Sequence, residues 1–400
     1  MKKNCAYDVV IAGGALTGLS MAALLADTNV NVALVAPSAP PVRDRRTTAV
    51  AAGPQTLLNA CGVWKKINHA EPIRHIRVLD IGRPQPLNFY AHHHAPFGWI
   101  IDNADLLGAL KERVREAKNI SMIDDVVTRV EADAHFSSIA TQRHGTLKAK
   151  VLAAADGRQS KLRQQAGIAA HQQLYKQTAI VAMLSHTHPH HQMALEYFMP
   201  TGPLAVLPFV SEKNKHHSAL VWSTTPDAAA DLMIMTEQTF CAWLKKYVGE
   251  WLGDITLASA RQAWPLNELK AEKSFKARLV LLGEAAHAMH PIAGQGYNLT
   301  MRNLGALKKI WRDIKHTGGD VGAHCALAGY HRARQFDTWR MMTAMDGLVK
   351  GFSNNLPGFS LLRQLGLSVV DLSPSLKEKF ANQAMGTEIS ASSRKSIKIV

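Results

Sequence analysis

The chain has 400 residues but few cysteines and no long apolar run, and each shortage excludes a class of protein. Its four cysteines, Cys5, Cys61, Cys241 and Cys325, lack the paired spacing of a disulfide framework or a zinc site. This usage fits a reducing cytoplasm. No stretch of about 18 uninterrupted apolar residues occurs, so we predict no membrane-spanning helix.

Positive charge is plentiful but not concentrated. The net charge is +15, yet the sequence has no dense Lys/Arg block, no aromatic-studded basic stripe and no zinc-finger spacing. We therefore expect no nucleic-acid partner. An anionic membrane surface, an acidic ligand or a generally basic proteome stay open as explanations of the charge.

A glycine-rich turn follows the first predicted strand, in the stretch VVIAGGALTGLS. A buried strand that leads through Gly13, Gly14, Ala15 and Gly18 into a helix presents backbone amides that can bind a pyrophosphate. Gly13 allows the tight turn, Ala15 stands where the phosphate approaches, and Gly18 allows close packing of helix and strand. By itself, the pattern also fits a tight turn without a ligand.

The acid that usually follows the second strand of such a fold is missing. The strand NVALVA ends on Ala36, where a carboxylate would bind the adenosine ribose. This departure argues against ordinary NAD binding and leaves open which group holds the ribose.

A second motif is AAADGRQSKLR, in which a strand ends at Asp156 and Gly157 and a helix soon begins. Alone, this motif fits a capped strand–helix turn equally well.

The third motif is the stretch GEAAHAMHPIAGQGYNLTMRN, which follows the apolar strand ARLVLL. Glu284 offers a carboxylate that can accept hydrogen bonds from sugar-like hydroxyls. Pro291 to Gly296 predict a stiff loop with few side chains, where the backbone can lie against a flat ring. A helix that begins near Tyr297 or Asn298 directs its amides and positive dipole end at negative charge on that ring. An isoalloxazine ring with a ribityl chain meets these demands.

Histidines invite a metal-site interpretation that the surrounding sequence does not support. His287 and His290 are three residues apart, but they precede Pro291 in a predicted loop, and no acid or cysteine completes a ligand set. We predict no metal there. The runs HHH (92–94) and HTHPHHQ (186–192) are interpreted as exposed loops, with adventitious metal binding as the alternative.

The three motifs, in this order, resemble those of the class A flavoprotein aromatic hydroxylases, in particular the ubiquinone-biosynthesis monooxygenases of the UbiH/UbiF type. The resemblance covers nearly the whole chain. It includes the stretches DRRTTAV (44–50), FGWIIDNADL (97–106), EYFMPTGPLAVLPF (196–209) and YHRARQFDTWRMMTAMDGLVKGFSN (330–354).

The resemblance implies FAD, with its pyrophosphate on the first glycine-rich turn, its ribityl chain on Glu284 and its ring beside the loop that starts at Pro291. Arg46 is implied to contact the phosphate or flavin region, and Asp156 belongs to a motif tied to both FAD and the nicotinamide donor. The residues expected to bind the cofactor are Gly13, Gly14, Ala15, Gly18, Arg46, Thr47, Asp156, Gly157, Gly283, Glu284, Pro291, Gly294, Gln295, Gly296, Tyr297 and Asn298.

The implied activity is an FAD-dependent monooxygenase that hydroxylates the aromatic ring of a polyprenylated phenol or quinol in ubiquinone biosynthesis. It would use molecular oxygen and NADPH or NADH, through a flavin C4a-hydroperoxide. Because the cofactor carries this chemistry, we expect no catalytic nucleophile. The expected location is cytoplasmic, with peripheral contacts at the inner membrane or with other quinone-biosynthesis proteins.

Two other functions stay open from the sequence. One is a related flavoenzyme, of the polyprenyl reductase or halogenase type, although the Trp-x-Trp pattern of flavin halogenases is missing. The other is a non-catalytic flavin-binding subunit of a membrane-associated quinone-biosynthesis assembly, which Ala15 and Ala36 would suit.

The implied fold is α/β and p-hydroxybenzoate hydroxylase-like. It has a Rossmann-like FAD-binding domain in three ββα layers, an inserted sheet-based substrate domain and a helical C-terminus. The predicted divisions are 1–72, 100–177 and 265–350 for the FAD-binding domain, 73–99 and 178–264 for the substrate domain, and 351–400 for the C-terminal helical region.

Overall fold

The computed structural model describes residues 7–38, 46–80, 83–91, 95–212 and 215–352. Within them the chain forms an eight-stranded, a nine-stranded and a three-stranded sheet, with helices packed against the sheets. The predicted α/β class is therefore confirmed.

Twenty strands and eight α-helices lie within the described ranges. The strands are β1 (Tyr7–Ala12), β2 (Val32–Ala36), β3 (Thr47–Ala51), β4 (Glu71–Ile73), β5 (His75–Asp80), β6 (Arg83–Tyr90), β7 (Gly98–Asp102), β8 (Ile120–Asp124), β9 (Val127–Ala132), β10 (Ser137–Thr141), β11 (Thr146–Ala154), β12 (Ala170–His186), β13 (Met193–Met199), β14 (Gly202–Glu212), β15 (Lys215–Thr224), β16 (Ile255–Leu257), β17 (Gln262–Ala271), β18 (Phe275–Lys276), β19 (Leu279–Leu281) and β20 (His287–Ala288). The helices are α1 (Leu16–Leu25), α2 (Ala52–Ala60), α3 (Asn103–Glu116), α4 (Lys161–Gln165), α5 (Pro226–Ile234), α6 (Glu237–Val248), α7 (Gln295–His316) and α8 (His324–Phe352).

The eight-stranded sheet has a parallel centre in the order β19-β11-β1-β2-β8, which β18, β10 and β9 extend with antiparallel pairs. Strands β1 and β2 are buried because they are almost entirely apolar. Helices α1, α3 and α7 cover one face, and α1 can lie in this core because it carries no charged residue. The carboxyl ends of the parallel strands and the turn into α1 therefore share one edge.

Side-chain caps fix where several helices begin. Asp102 caps α3 by accepting from the backbone N–H of Ala104 at 2.6 Å. Thr225 and Thr236 cap α5 and α6 by accepting from the N–H group three residues further on. Both helices pack against the nine-stranded sheet through apolar side chains.

The nine-stranded sheet runs in the order β20-β17-β12-β15-β14-β13-β5-β6, with β16 beside β12. Its neighbouring strands are antiparallel, except that β13 and β5 are parallel. One face packs against α5 and α6 in an apolar cluster that includes Trp222, Phe240 and Leu244. We call the opposite face, which is turned toward the rest of the chain, the open face.

Two apolar clusters join the open face to the remaining elements. In one, Ala194 packs with residues of β4 and β7, including Ile73 and Ile100. In the other, Phe198 packs with Ile292 and with residues of α7 and α8. The residues of the open face that stay partly exposed are Ile76, Val78, Val181, Met183, Glu196, Ala205, Leu207 and Val221. The open face is thus mainly apolar but incompletely covered.

The predicted domain division stays a prediction, although two of its boundaries fall inside strands. Strand β12 runs across the division at 177/178, and β17 runs across the division at 264/265. Strand pairing continues through both points, so the sheet does not stop where the sequence patterns change. The C-terminal region 351–400 lies outside the described residues beyond 352. No described helix combines the length and apolarity needed to cross a bilayer.

Candidate active site

The first glycine-rich turn is in backbone contact with two other segments. Gly13 has φ of +120°, and a β-carbon on it would lie 2.3 Å from the carbonyl oxygen of Ala155. A β-carbon on Gly14 would lie 2.5 Å from the β-carbon of Ala36, and one on Gly18 would lie 1.9 Å from the oxygen of Gly13. Each position therefore requires glycine.

The amino end of α1 is open to a ligand. Ala15 is the N-cap residue, and among the described residues no side chain caps this helix. The first backbone N–H groups of a helix need an acceptor and favour negative charge. The turn thus has the features that a pyrophosphate requires.

The second motif lies directly against the first. The N–H of Ala155 donates to the oxygen of Ala12 at 2.8 Å, which continues the pairing of β11 with β1. Asp156 accepts from the N–H of Leu162 at 3.2 Å and so fixes the start of α4. Gly157 has φ of +84° and completes the turn. Both predicted residues therefore shape the edge where β1 ends.

The third motif reaches the same place. Gly283 has φ of +53°, and a β-carbon on it would lie 2.4 Å from Oγ1 of Thr17, in the first turn of α1. Glu284 pairs with Nη2 of Arg158 at 2.9 Å, and Arg158 also donates to Asn267. The carboxylate that we expected to hold a ribityl chain therefore lies beside the pyrophosphate turn. Arg158 was missed, although it stands inside the quoted second motif.

The loop from Pro291 to Gly294 is held by hydrogen bonds of the helix that follows it. The Asn298 amide donates to the oxygens of Ala49 and Gly294 at 3.0 Å each, and its oxygen accepts from the N–H of Ala51 at 2.9 Å. A β-carbon on Gly294 would lie 2.8 Å from that of Ala49. The loop is therefore pressed against β3.

Residues 295–297 are the first three residues of α7, and each has different contacts. The Tyr297 hydroxyl lies 2.8 Å from that of Ser20 on α1, so this side chain joins two helices and leaves only backbone to face a ring. Gln295 is buried, whereas Gly296 meets only ordinary contact with Met289. No described side chain caps α7, so its amide groups remain available.

Arg46 and Thr47 lie where β3 approaches the nine-stranded sheet. The Arg46 guanidinium stacks over the ring of Trp264, 4.7 Å from its centroid, and the Arg46 oxygen accepts from the N–H of Asn103. Thr47 begins β3 and pairs with Asp102. Trp264 belongs to β17, so Arg46 lies between β3 and the nine-stranded sheet. The contact of Arg46 with the phosphate or flavin region stays a prediction.

The histidines of the third motif are structural. His290 accepts from the N–H of Ile292 at 3.1 Å, and its other nitrogen lies 3.1 Å from the oxygen of Gln177. His287 lies 2.9 Å from the amide nitrogen of Asn303. Burial lowers the pKa of both histidines to about 4, which keeps them neutral. No metal-binding group of three or more side chains occurs among the described residues.

The exposed-loop interpretation of HTHPHHQ (186–192) is partly wrong. His186 and His190 are buried, with 4% and 6% of their surface exposed. His186 ends β12, and its ring bonds the oxygen of His188 and the hydroxyl of Ser218. His186 is therefore buried because it pairs with β15 inside the nine-stranded sheet. The run HHH (92–94) lies outside the described residues.

A carboxylate stands beside the position of the missing ribose acid. Ala36 on β2 is in register with Asp124 on β8, so both side chains project from the same face of the sheet. Asp124 accepts from the N–H of Ser38 at 2.6 Å and pairs with Arg143 at 3.1 Å. The hydrogen bond from Ser38 is the main reason that the pKa of Asp124 is lowered. No sequence pattern indicates this acid, because only strand register places it beside Ala36.

These features fit FAD. The glycine positions leave room where a β-carbon would collide, and two helix amino ends lack side-chain caps among the described residues. Glu284 follows the glycine that contacts the first turn of α1. The first turn would hold the pyrophosphate and the loop at Gly294 would lie against the ring.

Known proteins are similar to this sequence over nearly its full length. The family described as FAD binding domain matches residues 6–344. The ubiquinone hydroxylase UbiL of Rhodospirillum rubrum is 33% identical over 388 residues, which are 95% of this chain and 90% of that protein. The 3-demethoxyubiquinol 3-hydroxylase of Escherichia coli is 28% identical, over 96% of this chain and 99% of that protein.

Solved structures share the fold. The p-nitrophenol 4-monooxygenase PnpA of Pseudomonas putida has a TM-score of 0.76 at 16% identity, over 95% of this chain and 98% of that chain. PqsL of Pseudomonas aeruginosa has a TM-score of 0.78 at 20% identity, over 92% of this chain and 100% of that chain. The predicted p-hydroxybenzoate hydroxylase-like fold is confirmed. The chain belongs to the family of FAD-dependent monooxygenases that includes the ubiquinone-biosynthesis hydroxylases.

Proposed function

We propose that this enzyme hydroxylates the aromatic ring of a polyprenylated phenol in ubiquinone biosynthesis. The observation that carries the proposal is the meeting of three distant motifs at one edge, next to the partly exposed apolar face of the second sheet. The names of relatives that match along the whole chain support the pathway.

Each part of the site has a proposed task. The amides at Gly14 and Ala15 bind the pyrophosphate, Glu284 binds the ribityl hydroxyls, and the backbone from Gly294 onward lies along the ring. Bound FAD supplies the activation of oxygen. The open face covers the aromatic substrate and keeps water away, and exclusion of water prevents side reactions.

Two finer assignments belong to the same proposal. NADPH or NADH supplies the electrons, as the resemblance of Asp156 and Gly157 to a shared FAD and nicotinamide motif implies. The enzyme works in the cytoplasm, in peripheral contact with the inner membrane. The net charge of +15 would favour an anionic surface, and a polyprenyl substrate would reside there.

The pathway is tested by deleting the gene and analysing the accumulated quinones by mass spectrometry. We expect a precursor that lacks one oxygen atom, and recovery when the wild-type gene is restored. A variant in which Gly13→Val blocks the turn should not restore the quinone. An unchanged quinone pool in the deletion strain would contradict the assignment.

The reaction is tested with the purified holoenzyme and a short-chain prenylated phenol. We expect NADPH or NADH to be oxidised, and one atom from isotopically labelled oxygen gas to appear on the product ring. Reduction of the prenyl chain without oxygen uptake would identify a polyprenyl reductase instead. Bound FAD without turnover of any phenol would favour a non-catalytic subunit.

A further inference from the structure

One acidic residue lies in the middle of the apolar open face. The strand MALEYFM forms β13, and its odd-numbered residues Leu195, Tyr197 and Met199 pack toward α5 and α6. Side chains alternate along a strand, so Glu196 projects from the opposite face, together with Ala194 and Phe198.

The two residues that flank Glu196 locate its carboxyl. Ala194 belongs to the cluster that includes Ala49, and Phe198 belongs to the cluster that includes Ile292. Ala49 and Ile292 are both close to Gly294, since Gly294 is pressed against Ala49 and Ile292 precedes it by two residues in one short helix. Glu196 therefore lies between the two clusters, opposite the loop assigned to the flavin ring.

The surroundings of Glu196 are apolar. Its in-register neighbours are Val78 on β5 and Ala205 on β14, which lie about 5 Å away as adjacent strands do. Among the described residues, no hydrogen-bond or ion-pair partner reaches its carboxyl. Burial without such compensation raises the pKa of Glu196 to about 8.

The other titratable groups around the open face have partners of their own. These groups are Arg46, Glu71, Asp80, Tyr175, His290 and Asp346. Burial is the cause of the raised pKa of Glu196, and none of these groups contributes to it. The Glu196 side chain is still partly exposed on the open face, so its carboxyl is accessible to a ligand that lies against this face.

We propose that Glu196 is a catalytic residue that exchanges a proton with the hydroxyl of the aromatic substrate. This inference rests on the proposed function. The Glu196 carboxylate accepts the proton as the phenol O–H bond breaks, and the resulting acid donates a hydrogen bond to the phenolate oxygen. Hydroxylation releases the hydrogen of the attacked ring carbon as a proton, which neutralises the oxygen that the transfer leaves behind. The Glu196 proton returns to the phenolic oxygen, and the carboxylate is regenerated.

The proton exchange explains why an acid with a raised pKa suits this position. An ordinary glutamate, with a pKa of about 4.3, is a poor acceptor for a phenol with a pKa of about 10. A carboxyl with a pKa near 8 is much closer to the phenol, and proton transfer is most effective between groups of similar pKa. An electron-rich phenolate ring accepts an electrophilic oxygen more readily than the neutral phenol.

The test compares wild type, Glu196→Gln and Glu196→Asp as FAD-loaded enzymes, with 2-prenylphenol as the probe. Ultraviolet absorbance of the bound phenol is recorded at each pH. In wild type, we expect the absorbance to shift as the pH rises through about 8, because the carboxylate formed there accepts a hydrogen bond from the phenol hydroxyl. In Glu196→Gln, we expect no shift until the phenol itself ionises at about pH 10. Glu196→Asp should restore the shift near pH 8 in part.

Turnover provides a second measurement. The kcat/KM of wild type should rise as the pH increases through about 8, since the carboxylate is the active form. That rise should vanish in Glu196→Gln, with a loss of about a hundredfold. Glu131→Gln, which removes an exposed carboxyl on β9, is the matched control and should behave as wild type.

Folding of the variant is measured in the same samples. Glu196→Gln should bind FAD normally and should unfold at a slightly higher temperature above pH 8, because it removes a partnerless charge. Identical absorbance shifts with pH in wild type and Glu196→Gln would overturn the proposal, as would loss of FAD from the variant. If wild type itself does not hydroxylate the phenol, the proposed function fails instead.

Discussion

At the scale of single residues, a substitution of Glu284 should weaken cofactor binding without changing the stability of the fold. Its ion pair with Arg158 is partly exposed, with 55% of the Glu284 side chain accessible, and exposed pairs contribute at most about 1 kcal/mol. We expect Glu284→Gln to leave the unfolding of the apoprotein nearly unchanged. It should weaken FAD binding about tenfold, as loss of a charged hydrogen bond does. Calorimetric titration with FAD measures the change.

The control for this variant is Asp313→Asn, which breaks another exposed ion pair, with Arg312, on the distant part of α7. It should leave the FAD affinity at the wild-type value. Equal affinity in Glu284→Gln and wild type would show that the ribityl chain lies elsewhere.

Asp124 is expected to take over the contact that Ala36 cannot make. We expect Asp124→Asn to weaken FAD binding about tenfold, because its carboxylate is the hydrogen-bond acceptor in register with Ala36. Fluorescence quenching of added FAD measures this affinity. Asp133→Asn, which removes another loop carboxylate that accepts backbone hydrogen bonds, is the control.

Binding of FMN, which lacks the adenosine ribose, tests whether the effect of Asp124→Asn is specific to that ribose. FMN affinity should be the same in wild type and Asp124→Asn. A parallel loss of FMN binding would mean that the substitution acts by disturbing β8.

Single residues also mark the limit of prediction from sequence. The glycines at 13, 14 and 283 were predictable because their close contacts follow from the motif. The side chain of Tyr297 was not, since its hydroxyl turns to Ser20 on a helix that precedes it by 277 positions. Glu196 left a weak signal, one acid in an otherwise apolar strand, that periodicity alone cannot distinguish from an exposed position.

At the scale of elements, the contact between the glycine-rich turn and β2 should decide FAD affinity. A methyl group on Gly14 would lie 2.5 Å from the β-carbon of Ala36, whereas carbon atoms in contact need about 3.5 to 4 Å. We expect Gly14→Ala to move the turn away from β2 and to weaken FAD binding about tenfold. Calorimetric titration measures the affinity.

The double variant Gly14→Ala with Ala36→Gly tests this cause directly. Removal of the Ala36 methyl group recreates the missing space, so affinity should recover in large part. If the double variant binds as weakly as Gly14→Ala, the loss comes from the backbone of the turn and not from its packing on β2.

Element boundaries followed the sequence less closely than element types did. The predicted divisions at 177/178 and 264/265 fall inside β12 and β17, and the pairing of Ala170 with Ala271 already belongs to the nine-stranded sheet. The same strand carries His186 into the interior beside β15. The sequence shows whether a side chain is polar, but its burial depends on which strand pairs with its own strand.

At the scale of the whole molecule, buried histidines should make the fold sensitive to mild acid. Burial lowers the pKa of His186, His287 and His290 to about 4, whereas unfolded histidine titrates near 6.5. Between these values the unfolded chain binds more protons. The free energy of unfolding should therefore fall as the pH decreases from about 6.5 to 4, by up to about 3 kcal/mol for each histidine.

Urea unfolding at pH 7 and pH 5 measures this dependence. His290→Gln should reduce the difference between the two conditions, because one of the three histidines no longer takes up a proton. His171→Gln, at an exposed position of β12, should leave the difference unchanged. Equal stability of wild type at both pH values would contradict the prediction.

The fold class and family were predictable because the motifs recur in a fixed order, but the assembly of the site was not. Arg158 meets Glu284 across 126 positions, and Asp124 meets Ser38 across 86. Such distances are set by topology, which local patterns do not specify. The sequence therefore predicts which motifs to consider for a cofactor site, and strand order determines which of them are in contact.

The contact between Gly283 and Thr17 has a consequence for biosynthesis of the enzyme. On the ribosome, the amino-terminal turn emerges long before the segment that closes against it, by a delay on the order of tens of seconds at typical rates of translation. In a nascent chain the glycine-rich turn therefore lacks this contact until Gly283 has been synthesised. If that turn holds the pyrophosphate as proposed, we expect full FAD affinity only from that point on.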